Sequence, residues 1–256
     1  MSLLAVSGLC KAFGGVQAVD EVSFTLEAGE LLALIGPNGA GKSTCFNLLN
    51  GQLRPDSGQV SVDGRDVAAL KPRQRWALGV GRTFQITATY ASMSVRENVQ
   101  MVLLSAARRL LGIWPQARRL YVEDADALLA LVGMADQAGR PCGLLAYGDI
   151  KRVELAMALA GKPRLLLMDE PTAGMSPGER DELMALTAAL TRERGIGVLF
   201  TEHSMDVVFK YANRVLVMAR GRVIAEGEPA AVRANARVQE VYLGTGATFQ
   251  AHAALS

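Results

Sequence analysis

Apolar residues along this chain follow two periods, and the period switches with position. Alternation at Leu3 to Val6, Val22 to Leu26 and Gln59 to Val62 predicts antiparallel strands. Turn signals at Asp56-Ser57-Gly58 and Asp63-Gly64-Arg65 bracket the last of them. Unbroken short runs at Leu31 to Ile35, Leu165 to Met168 and Gly197 to Phe200 predict buried strands. Between about Ile86 and Ala160 the spacing turns helical, at Val95 to Leu104, Ala117 to Val132 and Ile150 to Leu159. Gly112, Pro115, Gly139 and Pro141 punctuate that region. The helix-like stretch Gly178 to Arg194 separates the Leu165 and Gly197 runs, which makes a crossover unit and implies a parallel sheet. Val215 to Met218 and Arg222 to Ala225 read as a hairpin with a left-handed Gly221 in its turn. The pattern predicts an α/β fold: a mainly parallel sheet, an N-terminal antiparallel β-subdomain and a nested α-helical subdomain at about 86–160. One domain is expected over 1–244, followed by a loosely held tail at 245–256.

Composition narrows the class. The chain has 256 residues, half of them hydrophobic and a fifth charged, which suits one large globular domain with a nested unit. A formal net charge of +2 argues against a general nucleic-acid surface. Cys10, Cys45 and Cys142 have no metal-ligand spacing and read as reduced thiols. No signal peptide is visible in Met1 to Gly15, so an intracellular chain is expected. No run of about 18 apolar residues exists, so work at a membrane would need another protein to hold the chain there.

The strongest chemistry lies directly after the Leu31 run. Gly36, Pro37, Asn38, Gly39, Ala40, Gly41, Lys42, Ser43 and Thr44 complete a G-x-x-x-x-G-K-[ST] loop that leads into a helix-like Ser43 to Leu49. Its glycines let backbone N–H groups turn inward at a helix N-terminus, forming an anion cradle. Lys42 can reach the β- and γ-phosphates, and the Ser43 hydroxyl can ligate Mg²⁺. A chance glycine-rich turn would not meet every spacing in a strand-loop-helix context. These residues predict a nucleoside triphosphate site on a P-loop core.

The Leu165 run ends in Asp169-Glu170, at the strand edge where α/β sheets bind ligands. Asp169 is the candidate holder of Mg²⁺, and Glu170 the candidate base for the attacking water. Alone, the pair could equally be two solvated acids capping the next segment. Beside the phosphate loop, the catalytic reading gains the advantage.

Leu145-Ala146-Tyr147-Gly148-Asp149, with Arg152 three positions on, resembles the L-S-G-G-Q signature of ATP-binding cassette (ABC) ATPases. That family's other elements fall in order across nearly the whole chain. Phe13 matches the aromatic that stacks on adenine, Gln85 the Q-loop glutamine, and His203 the switch histidine. Phe13-Gly14-Gly15, Gly81 to Gln85, Ala173-Gly174-Met175 and Val241-Tyr242-Leu243-Gly244 resemble the ATP-binding subunits of branched-chain amino acid importers. Urea and amide importers share much of this pattern, and a soluble non-transport ABC ATPase is the other alternative. A P-loop kinase or GTPase would have no use for the signature, and the chain has no guanine-reading N-K-x-D.

The resemblance implies an ATPase that powers uptake from the cytoplasmic face of the membrane, with ATP and Mg²⁺ bound. Glu170, His203 and Gln85 would be catalytic, and Ser43, Gln85 and Asp169 would hold the metal. Ala146, Tyr147 and Gly148 would close over a nucleotide held by a second ATPase subunit. Partners would be transmembrane permease subunits and, indirectly, a solute-binding protein, with no nucleic acid. Residues Ile86 to Val99 are the expected permease groove, with ordinary core packing an equal alternative for Met93 and Val95. Arg108, Arg109, Arg118 and Arg119 form two basic pairs, expected to be a solvated face. Three positions depart from the family's common pattern: Ala146 for serine, Asp149 for glutamine, and Ser176 where aspartate is usual.

Overall fold

The strand runs and the helical middle are laid out around two sheets in the computed structural model, which describes residues 2–83, 89–107 and 119–243. Strands β1 (Leu4–Phe13), β2 (Val16–Leu26), β4 (Ser57–Val62) and β5 (Arg65–Asp66) form an antiparallel sheet in the order β2-β1-β4-β5. The second sheet has six strands in the order β10-β9-β3-β8-β7-β6. Its strands are β3 (Leu31–Ile35), β6 (Val80–Arg82), β7 (Leu165–Asp169), β8 (Gly197–Thr201), β9 (Arg214–Ala219) and β10 (Arg222–Gly227). All neighbours pair in parallel except the β9-β10 hairpin.

The unbroken apolar runs have a direct cause. A strand buried on both faces has no solvent side to mark with polar residues. In β3, Leu31, Ala33 and Ile35 face one core and Leu32 and Leu34 face the other. In β7, Leu166 and Met168 join the first core while Leu165 and Leu167 join the second. The second core lies against the antiparallel sheet and includes Cys45, Phe46, Leu48 and Leu49 of helix α1 (Lys42–Leu49). Burial drives the Cys45 thiol up to about 12, so it is an inert packing group.

The first core is roofed by helices. They are α3 (Val95–Ala106), α4 (Val122–Leu131), α5 (Tyr147–Ala160), α6 (Pro177–Arg194) and α7 (Met205–Tyr211); before them comes the short α2 (Pro72–Ala77). Helices α3, α4 and α5 pack on one another. The chain continues into α8 (Pro229–Ala234) and α9 (Ala236–Leu243). Caps fix several boundaries. Ser94 accepts from the Glu97 N–H and Ser176 from the Glu179 N–H, each glutamate answering its serine's own N–H. Ser176, the departure from aspartate, therefore starts α6 as its cap.

Several expectations need correction. Helix α5 opens at Tyr147, three residues before Ile150, so Asp149 lies inside its first turn. In the β9-β10 turn Arg220 adopts positive φ (50°) as well as Gly221 (81°). Of the two readings open for Val95, permease groove or core, the structure gives core: it is fully buried in the first cluster. Gln85, Arg108, Arg109, Arg118, Gly112, Pro115, Gly244 and the tail 245–256 lie outside the described residues. No helix among the described residues is long and apolar enough to cross a membrane.

Candidate nucleotide site

The phosphate loop runs from the end of β3 into α1, and neighbouring backbone fixes its path. A Cβ on Gly36 would stand 2.2 Å from the Met218 carbonyl oxygen, and one on Gly41 2.2 Å from that of Ala18. Both positions therefore require glycine. Ala40 is buried and its carbonyl accepts from the Gly221 N–H at 3.0 Å, while Asn38, Gly39 and Ser43 are exposed and Pro37 and Thr44 half-buried. Gly41 is the N-cap of α1 without any side-chain cap, and the first turn holds no acid. The helix start thus presents unclaimed N–H groups and a positive dipole end toward an anion.

Lys42 is buried, and its ammonium donates to the carbonyls of Gly36 at 2.6 Å and Pro37 at 3.1 Å. Burial lowers its pKa, opposed by the negative charges of Glu170 and Asp169. The cation and both acids thus share one end of the parallel sheet.

Register places the acids. Asp169 at the end of β7 lies opposite Thr201 at the end of β8. The Thr201 hydroxyl donates to Asp169 Oδ1 at 2.8 Å and accepts from the Glu170 N–H at 3.0 Å. Arg82 Nη2 stands 3.5 Å from Asp169 Oδ2. Glu170 has φ of +48°, a left-handed conformation unusual for a side chain of its size. Its Oε1 lies 2.9 Å from His203 Nε2. The expected base and switch histidine therefore meet, although 33 positions separate them.

Other expected residues sit elsewhere. Phe13, at the end of β1, is exposed with Lys11 Nζ 5.6 Å from its ring centroid. Ala146 is the exposed N-cap of α5 and makes no side-chain cap bond, which removes the alternative that it is merely a buried small residue. The Tyr147 ring packs against Gly174, and a Cβ on Gly148 would lie 2.6 Å from Glu179 Oε1. Met93 is half-buried, while Tyr90 and Leu144 are exposed on loops joined by a 2.9 Å bond from Gly143 N–H to the Ala91 carbonyl.

Thr201, Glu202, Arg82 and Arg75 were not anticipated. A threonine ending a strand opposite a paired acid is a readable signal for Thr201, once the β7-β8 register is assumed. Tyr242 in α9 is buried, which raises its phenol, and the Gly36 backbone bears on it from the phosphate loop.

A Lys-bearing loop between a central parallel strand and a helix, facing an Asp-Glu pair two strands away, defines a P-loop nucleoside triphosphatase. The ABC transporter profile matches residues 19–173, and a profile of the branched-chain amino acid ATP-binding cassette transporters matches residues 222–248. The chain belongs to the ATP-binding subunits of ABC transporters, whose ATPase activity is coupled to transport.

The chain is 37% identical to the high-affinity branched-chain amino acid transport ATP-binding protein BraF of Pseudomonas aeruginosa, covering 94% of this chain and 98% of that one. It is 37% identical, with the same coverage, to the corresponding protein LivG of Escherichia coli K12. A crystal structure of a nucleotide-free ATP-binding cassette from an ABC transporter superposes with a TM-score of 0.85 at 31% identity, covering 94% and 99% of the two chains. An ADP conformation of such a cassette gives 0.84 at 32%, covering 95% and 99%.

Proposed function

We propose that this chain drives uptake of branched-chain amino acids, docked on permease subunits at the cytoplasmic face of the membrane. The solute is supported by the relatives' names and by the C-terminal profile, since nothing in an ATPase subunit touches the solute. Deleting the gene should abolish leucine uptake and spare urea uptake. Loss of urea or amide uptake instead would reassign the solute.

The observation that carries the catalytic assignment is the meeting of Glu170 with His203 at the sheet edge that also holds Asp169 and Lys42. Lys42 and the α1 N-terminus bind the phosphates, and Phe13 stacks on the base. Glu170 takes the proton of the attacking water, and His203 holds the carboxylate in place. Ala146, Tyr147 and Gly148 cover the nucleotide of a second ATPase subunit.

The site fits Mg²⁺ by the chemistry of its donors. Asp169 and Ser43 would offer it hard oxygens, the donor type Mg²⁺ takes. Few protein oxygens completed by substrate phosphates is the usual Mg²⁺ arrangement. Bound there, the ion would supply charge neutralisation at the transferred phosphoryl group. Helices α3 to α5 are assigned as the unit that carries the signature, with Tyr90 and Leu144 as its exposed apolar contacts for a permease.

Glu170→Gln in the full chain tests the assignment. Turnover should fall by about 10²–10⁴-fold while ATP binding is retained. Turnover within a few fold of wild type removes Glu170 from the base role.

A further inference from the structure

Between Thr201 and His203 lies a carboxylate to which the assignment above gives no part. Glu202 is 4% exposed. Its Oε1 accepts from the Thr172 N–H at 3.0 Å and from the Thr172 hydroxyl at 2.6 Å. Its Oε2 accepts from the N–H groups of His203 at 3.1 Å and Ser204 at 3.5 Å. The two oxygens thus hold two loops that leave different strands, β7 and β8.

Those loops carry the reacting pair. Thr172 lies two residues past Glu170, and His203 reaches back to Glu170 at 2.9 Å. A closed ring results: Glu170, Pro171, Thr172, the Glu202 carboxylate, His203, and Glu170 again. Burying a carboxylate is unfavourable unless donors surround it, and Glu202 makes no ion pair among the described residues. Its compensation comes from these four donors. A neutral amide could not replace it, because glutamine has one acceptor oxygen and an NH₂ donor. One of the two loops would then face donor against donor.

We infer that Glu202 is a positioning residue for hydrolysis, fixing the separation of Glu170 and His203 from behind. The inference rests on the roles proposed for those two residues. It assigns Glu202 no contact with nucleotide, so binding and turnover should separate when it is changed.

The test is a double-mutant cycle in the full chain, with single-turnover assays for slow variants. Glu202→Gln should lower kcat by about ten- to a hundredfold, because small misplacements of a reacting group cost that much. KM for ATP should stay within about twofold, since the phosphate loop is untouched. In a His203→Ala background the loss from Glu202→Gln should shrink to under about twofold, because the group being positioned is gone. An equal loss in both backgrounds, or an unchanged kcat, overturns the inference. Should Glu202→Gln fail to fold, Thr172→Val removes one donor and leaves the carboxylate. It should cost about three- to tenfold in kcat, again only when His203 is present; equal losses overturn the inference here too. Wild-type turnover in Glu170→Gln or His203→Ala alone would instead sink the underlying assignment, and the inference with it.

Discussion

Two effects meet at Ala146 and can be separated. As the exposed N-cap of α5 it leaves the first-turn N–H groups without a side-chain acceptor. Ala146→Ser should stabilise the chain by about 0.5–2 kcal/mol through capping alone, visible as a higher melting temperature without nucleotide. If the same hydroxyl also meets a partner's γ-phosphate, ATP-driven association on a Glu170→Gln background should tighten about tenfold or more in sedimentation. A higher melting temperature with unchanged association confines the serine to its capping role. Gly148→Asp is a poorer probe of phosphate contact, because its Cβ would first strike the Glu179 carboxylate at 2.6 Å. Lys42→Ala acts at the loop itself: it deletes a buried cation proposed to bind the phosphates, and it should weaken ATP binding by about tenfold or more in a titration with labelled nucleotide.

At the scale of elements, the first helix depends on a residue far from it in sequence. The Arg75 guanidinium is 1% exposed and donates to the carbonyls of Leu48 at 2.6 Å and Leu49 at 2.5 Å, at the end of α1. Its remaining donors reach Leu70 and Ala68. Burial pushes its pKa down to about 10, so it stays charged at neutral pH. Arg75→Ala should destabilise the chain by about 2–4 kcal/mol in denaturant unfolding, because several buried carbonyls lose their donor. Lysine should not restore it, lacking the fork that reaches two carbonyls at once. The helix α2 that carries Arg75 leaves no signal in the apolar pattern, being six residues long with an arginine as its buried member. Strands β3, β7 and β8 are legible for the opposite reason, since burial on both faces writes a continuous run. The phosphate loop and Asp169-Glu170 are legible because their chemistry is local in sequence. The Thr201 and Glu202 contacts depend on which strands are neighbours, so spacing alone does not reveal them.

For the whole molecule, the proposed reading makes the phosphate loop and the signature helix two halves of a site completed by a second subunit. Expressed alone, the chain should be mostly monomeric and slow to hydrolyse ATP, and Glu170→Gln with ATP should shift it to a dimer in sedimentation. A Glu170→Gln chain that stays monomeric at saturating ATP would argue against self-association through the signature and leave a paralogue as the alternative partner.

The left-handed backbone at Glu170 sets activity against robustness at a single dihedral. Such a conformation costs a large side chain about 1 kcal/mol or more, whereas asparagine tolerates it. Glu170→Asn and Glu170→Gln both lack the carboxylate, so their comparison reads the backbone preference together with the loss of one methylene and its reach to His203. The asparagine chain should melt about 2–4 °C above the glutamine chain. With Glu170 as the proposed base, the sturdier version of this protein at that position is one that does no work, and drift toward it is checked by the demand for turnover.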